Sequence, residues 1–517
     1  MFAIRRTLTL CVCASLGYLF ITGVCSVFKQ FKAVQARPLH ELSTAELLED
    51  ALVLHNNTRG DAWIIATDPN ERYESLFSAH MLKDMVKRGD LNALFDAVDE
   101  GFELEVDRRQ GMGSPPLPPA GLPFMPRPLH KGERGGLDGT SCRSCHFNGG
   151  PDGGGTGTSM AFFRGDGERI SKSVMRDAPA LMGAGYIAIL AIQMSEKLKQ
   201  IRAKAISTAQ YTQREIRLPL KTHGVTFGWI RADAKGEVFT DEVSGVSDDL
   251  IVRPFGWKGR HHSLVEVADE SLQQHHGLQS DSRAERYQDQ AQEYIGEGPM
   301  WDPDQDGVVQ EIYGGHPAAL AAYMTLLATP IYVTPTTLSE SLDWAEGRRW
   351  FEEVRCASCH VPALRVKPQN IELLARGKYR ATVKINPFTD GQEPRVRRLD
   401  YSSDLTGSIP VGNQIFLFSD LKRHRMGEAL ADHSPERLPD GRNVPADEWL
   451  TRPLWGLADS APYMHDGRAQ NVEEAILLHG GEAKSAVQLY QALSDRERGQ
   501  LRMFLMSLSR DATLLVE

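Results

Sequence analysis

Cys142-Arg-Ser-Cys145-His146 and Cys356-Ala-Ser-Cys359-His360 decide how this chain is read. Each is a Cys-x-x-Cys pair followed at once by histidine, the pattern of a c-type haem attachment site. Two thiols three positions apart lie on one turn. They reach the two vinyl groups of a porphyrin, and the adjacent imidazole reaches the iron as proximal ligand. Residue frequencies give roughly 0.003 chance matches in a chain of this composition, and there are two. A four-cysteine zinc site or two short disulfides would leave the histidine after each pair unexplained. The spacing thus predicts two covalent haem c groups, with Cys142, Cys145, Cys356 and Cys359 as attachment residues and His146 and His360 as iron ligands.

The remaining three cysteines, Cys11, Cys13 and Cys25, fall in an N-terminal segment of different character. Arg5 and Arg6 precede an apolar run from Leu8 to Phe28, the charge asymmetry of an export signal or a single membrane anchor. Val34-Gln35-Ala36 offers a small-residue cleavage site, so residues 1–36 are expected to be a signal peptide or anchor. The rest is expected outside the cytoplasm, where thioether attachment is made and unmodified cysteine pairs would risk oxidation. The 517 residues carry 58 Lys+Arg against 68 Asp+Glu, a net charge of -10. That balance argues against a nucleic-acid binder. An apolar share of 41% supplies ordinary cores.

The order of landmarks repeats. Arg176-Asp-Ala-Pro179-Ala-Leu-Met-Gly183 follows the first haem motif, and Thr451-Arg-Pro453-Leu-Trp-Gly456 follows the second. Trp257-Lys-Gly259-Arg260 likewise has a counterpart in His465-Asp-Gly467-Arg468. The expected fold is therefore mainly α: two tandem cytochrome c-like helical domains with a small β insertion in the first. The expected boundaries are 37–115 for an N-terminal helical region and linker, 116–335 for the first domain and 336–517 for the second. The insertion, 186–252, opens as a helix from Tyr186 to about Ala209. It continues with strand-like Val225–Ile230, a turn at Asp233–Glu237, Val238-Phe239 and Leu250–Val252. Gly111–Pro128 reads as a Pro- and Gly-rich linker. In the second domain, Gly347, Phe351 and Val354 recur at helical spacing. Asn471 is an N-cap, and Ser494-x-x-Glu497 is a capping box before the stripe Leu501, Phe504, Leu505, Leu508.

With these residues in hand, the chain resembles the bacterial di-haem cytochrome c peroxidase superfamily, in particular its di-haem oxidoreductase branch. The likeness runs from about Leu94 to the C-terminus. It is carried by Phe255-Gly-Trp257-Lys-Gly-Arg260, Phe418-Ser-Asp-Leu421, His424-Arg-Met426-Gly427, Ala461-Pro-Tyr-Met-His-Asp-Gly-Arg468 and Leu478-His-Gly-Gly481. The resemblance implies a periplasmic enzyme that reduces peroxide at its N-terminal haem and takes electrons in at its C-terminal haem. A small donor protein of the cytochrome c or cupredoxin kind would supply them, and Trp257 would sit between the haems. No nucleic acid is expected as a partner, and a membrane only through residues 8–28.

Some positions depart from the family pattern. Phe162 stands where peroxidases carry a removable histidine ligand, so the first haem is open or capped by Met160 or Met175. The family's catalytic glutamate is replaced by the stretch Gln274-His275-His276-Gly277, leaving His275 or His276 as acid/base. Glu448-Trp449-Leu450 lacks the methionine that caps the second haem, for which Met426 is the first substitute and Met464, His433 and His465 are alternatives. Separately, Asp302-Pro-Asp304-Gln-Asp306-Gly307, with Glu311, reads as a calcium loop: oxygens at alternate positions, then a glycine for the turn. Competing functions are a di-haem electron-transfer cytochrome, and an oxygenase or protein-oxidising enzyme on the same scaffold.

Overall fold

The computed structural model describes residues 79–103, 129–131, 138–139, 141–148, 153–155, 160–166, 169–290, 310–312, 314–330, 335, 337–377, 380–390 and 414–509. Contacts divide the chain into Met1–Ala62 with Pro118–Pro123, and Trp63–Leu117 with Phe124–Glu517; every described residue lies in the second unit. The export segment, the proline-rich linker and the acidic loop Asp302–Asp306 lie outside the described residues. Among the described residues no helix is long and apolar enough to cross a membrane.

Elements are numbered in chain order among the described residues. Helices α1 (Ala79–Arg88) and α2 (Leu91–Glu103) precede a small sheet of β1 (Leu129–Lys131), β2 (Ala161–Gly165) and β3 (Val174–Arg176). Next come the long α3 (Ala184–Thr212) and an antiparallel meander of β4 (Ile216–Thr222), β5 (Val225–Ala232) and β6 (Val238–Phe239). Helices α4 (Leu264–His276), α5 (Asp281–Gln290) and α6 (Gly315–Leu326) follow. All twelve residues of α6 are buried, and four of them are alanines. Small side chains let neighbours come close: a Cβ on Gly185 of α3 would lie 2.3 Å from the Thr325 carbonyl. The expected insertion of helix, two strands and turn is therefore present, with Asp233 N bonded to Glu237 O at 3.0 Å. Leu250–Val252 is a correction. It pairs with no strand; Val252 N donates to Ser195 Oγ, and Leu250 is left-handed (φ 62).

The C-terminal half opens with α7 (Leu338–Glu353) and closes with α8 (Val472–Leu478), α9 (Lys484–Gln491) and α10 (Asp495–Met506). Trp344, Phe351, Phe418, Tyr463, Leu501, Phe504, Leu505 and Leu508 form its core. Gly347 admits α10, since a Cβ there would meet the Gln500 carbonyl at 2.0 Å. Asn471 caps α8 through Glu474 N, and Ser494 and Glu497 make the capping box of α10.

The mainly α expectation is met only in part, because this half holds several short strands that were not expected. Between α7 and α8 lie β7 (Leu364–Arg365), β8 (Ile371–Ala375), β9 (Ala381–Ile385), β10 (Gln414–Ile415), β11 (Arg423–Arg425), β12 (Glu436–Arg437), β13 (Asn443–Val444) and β14 (Glu448–Leu450). The β8–β9 hairpin buries Ile371, Leu373, Ala381, Val383 and Ile385 on one face, and it packs against α6 and α1. Residues 336–517 thus help complete the core of the preceding half.

Candidate haem centres

Both Cys-x-x-Cys-His stretches fold into the same short turn. Cys142–Ser144 and Cys356–Ser358 are single 3-10 turns. His146 N and His360 N return to the carbonyls of Cys142 and Cys356 at 3.1 and 2.9 Å. A carbonyl can only accept, so each proximal ring donates its Nδ1–H, His146 to Gly153 O (3.1 Å) and His360 to Phe418 O (3.0 Å). That fixes the tautomer and leaves the Nε2 lone pair unprotonated, the form that binds a metal. Burial pushes both imidazoles down to about 4, so both are neutral. None of the four motif cysteines is joined in a disulfide. They do not converge on one metal; among the described residues only Cys359, Asp420 and His424 cluster at ligand distance. His424 cannot ligate there, since Asp420 and Glu482 each hold one of its nitrogens at 2.8 Å.

A cavity opens at each motif. The first, about 1590 Å³ with its open mouth, is lined by Cys142, Cys145 and His146 together with Trp257, His275 and His276. The second, about 2170 Å³ on the same measure, is lined by Cys356, Cys359 and His360 with Met426, Met464 and His479. Arg452 also lines the second cavity and has no acidic partner among the described residues; burial lowers it to about 10. A haem fits these sites: thiols and an unprotonated imidazole nitrogen stand at the wall, and an unmatched guanidinium suits a propionate.

The two cavities share a wall. Asp177, Ala178, Pro179 and Trp257 line both. Trp257 is held by its indole N–H, which donates to Asp177 O at 2.7 Å. Burial pushes the Asp177 carboxyl up to about 7, opposed by the Ala178 amide and reinforced by Asp466.

Of the proposed acid/base pair, His275 is half-buried and its Nδ1 lies 2.6 Å from the buried Asp138 carboxylate. His276 is buried, bonded through Nδ1 to Gly139 O (3.1 Å), with Nε2 3.7 Å from Cys142 Sγ. Burial lowers it to about 4. Of the two, His275 is the one with a carboxylate partner, whereas His276 is bonded to the backbone beside the first motif. Met160 and Met175, the suggested caps of the first haem, are not among the residues lining its cavity. Met426 does line the second cavity, and Met464 and His465 do as well, but His433 does not. Glu311 is buried and accepts the Gln279 amide, while its expected partners Asp302, Asp304 and Asp306 lie outside the described residues.

Three groups escaped the sequence reading. Asp138 orients His275. Glu270 lines the first cavity between Arg260 (2.7 Å) and His261 (2.5 Å). Burial alone would raise that carboxyl, but the two neighbouring bases outweigh it and hold it well below the ordinary range. His479 faces the second cavity with its ring centroid 6.4 Å from that of His360. The helical periodicity of α4 around Glu270 was the one signal available.

Comparison with known proteins bears on the same region. No curated protein matches the chain. Solved structures with local similarity include hydrazine synthase of Kuenenia stuttgartiensis, at 15% identity over 38% of this chain and 56% of that one, TM-score 0.21. Another is a MauG-like protein associated with microbial copper homeostasis, at 15% identity over 55% and 80%, TM-score 0.24. This chain therefore spans little more than half of the hydrazine synthase chain, and likeness at these scores establishes no shared activity. Residues 400–508, which hold the Phe418–Leu421, His424–Gly427, Ala461–Arg468 and Leu478–Gly481 motifs, match the family described as "Di-haem oxidoreductase, putative peroxidase". Over that stretch, and not over the whole chain, the similarity to di-haem oxidoreductases is shown.

Proposed function

We propose that the chain is an exported oxidoreductase that reduces hydrogen peroxide at the haem site of His146, with electrons entering through the haem site of His360. The observation that carries this reading is the shared wall: Asp177–Pro179 and Trp257 face both cavities, so the two sites are neighbours rather than separate modules. Bound covalently at its cysteines, each haem would supply an iron that accepts and passes single electrons. Reducing peroxide to two waters consumes two electrons and two protons, and the chain's own residues handle the protons. His275, steadied by Asp138, gives and takes a proton at Nε2. Arg260, held by Glu270, places a fixed positive charge at the first cavity. Trp257, fixed by its bond to Asp177, keeps an aromatic ring between the sites. Leu8–Phe28 and the covalent attachment chemistry support export, and a small cytochrome c or cupredoxin is the donor this reading requires.

The test is steady turnover of peroxide by the holoprotein with a reduced small cytochrome. His146→Gly should abolish it. His360→Gly should block electron supply while leaving the first haem's spectrum intact. Wild type that does not consume peroxide, or two variants that behave alike, would remove the proposal.

A further inference from the structure

We infer that His479 is the second axial ligand of the haem held by His360, making that haem bis-histidine. The inference rests on reading the second Cys-x-x-Cys-His as a haem site. A metal–imidazole bond is about 2.0 Å and the ring centroid lies about 1.1 Å beyond the nitrogen, so two imidazoles on one iron have centroids about 6.3 Å apart. His360 and His479 stand 6.4 Å apart across one cavity. His479 also presents the right nitrogen: its Nδ1–H is donated to Ala475 O (2.7 Å), leaving Nε2 unprotonated, as in His360.

The backbone holds His479 in this place. It follows the last residue of α8, and a Cβ on the next two residues would be blocked, at Gly480 by Met426 O (2.6 Å) and at Gly481 by Arg425 O (2.1 Å). The pair of glycines lets the Arg425–Met426 backbone lie directly against the turn. Met426, which the sequence made the first choice, is thereby a neighbour that props the ligand. His465 is committed elsewhere, stacked on Trp449 at 3.9 Å.

The internal repeat explains why only one haem is closed this way. The bridges Phe255↔His261 and Tyr463↔Ala469 close equivalent loops, and Ser263 and Asn471 cap the helices that follow. Eight residues past each cap stand Ser271 and His479, and each lines its own cavity. A serine hydroxyl is no iron ligand of the histidine kind, so the first haem lacks at this position what the second has.

Near-infrared magnetic circular dichroism and EPR of the ferric holoprotein test this without peroxide. Wild type should show one low-spin haem with the bis-imidazole signature and no methionine–iron charge-transfer band. In His479→Gly that haem, half of the total, should turn high-spin, and added imidazole should restore it. His479→Met should bring in the methionine band and raise that haem's potential. Met426→Leu should keep the bis-imidazole signal, because it is the Met426 carbonyl and not its side chain that meets Gly480. A methionine band in wild type, loss of the low-spin signal in Met426→Leu, or its survival in His479→Gly overturns the assignment. Should a variant fail to fold, the wild-type spectrum decides alone. Two low-spin haems that ignore peroxide would defeat the peroxidase reading yet leave His479 as ligand.

Discussion

At the scale of single residues, position and not type assigns the roles. His275 and His276 are adjacent in sequence, but only His275 has a carboxylate to orient it and a free nitrogen to work with. His275→Ala should lower peroxide turnover by about 100-fold or more, the usual worth of a general acid/base group, while His276→Ala should chiefly reduce haem incorporation. Steady-state rates and haem-to-protein ratios separate the two. Asp177 makes a pH prediction. Its carboxyl titrates near 3.8 when exposed and near 7 in the fold. Between those values the unfolded state binds fewer protons, so folded stability falls as pH rises through the window. Asp177→Asn removes that slope, and melting temperatures of both proteins from pH 4 to 8 should converge at the acid end and favour the variant at the alkaline end. Lys258 is fully buried, with its ammonium donating to the carbonyls of Pro445 (3.2 Å), Ala446 (2.7 Å) and Glu448 (3.0 Å) beside Asp432. Lys258→Met strands those acceptors and should cost about 3–5 kcal/mol in denaturant unfolding.

At the scale of elements, local signals were readable and long-range ones were not. The Ser494–Glu497 box and the Asn471 cap could be found because a cap involves residues three apart. The β8–β9 hairpin shows partial alternation in Ile371-Glu-Leu-Leu-Ala and clear alternation in Ala381-Thr-Val-Lys-Ile, a strand signal inside what the haem motifs predict to be a helical domain. His479 stands within the Leu478–Gly481 motif, and nothing local says that the end of α8 faces His360, more than a hundred residues earlier. Gly347 shows the same limit: its helical spacing was visible, while its need for a bare Cα comes from Gln500 O on α10. Gly347→Ala should force α7 and α10 apart and cost about 1–3 kcal/mol, measured as a lowered melting temperature with the Soret band retained.

At the scale of the whole molecule, the expected boundary at 335 does not separate independent bodies. Arg176 pairs with Asp432 (2.6 Å), Arg253 with Asp440 (2.5 Å), and Trp257 O accepts from Leu450 N (3.0 Å). Glu436 even lines the first cavity. Full-length holoprotein should unfold in one cooperative step by calorimetry, and residues 37–335 produced alone should give no stable folded product. Two well-resolved transitions would contradict this. The same interlock sets the charge around two of the indoles. Lys258 Nζ sits 3.7 Å above the Trp449 ring and the Arg176 guanidinium 5.0 Å from it, whereas Trp257 has one cation, Arg452, at 5.4 Å. Positive charge against a π face lowers the energy of its electrons. The Trp449 ring should therefore be the harder of the two to oxidise, while Trp257, the more weakly charged of the pair, is the one that borders both cavities.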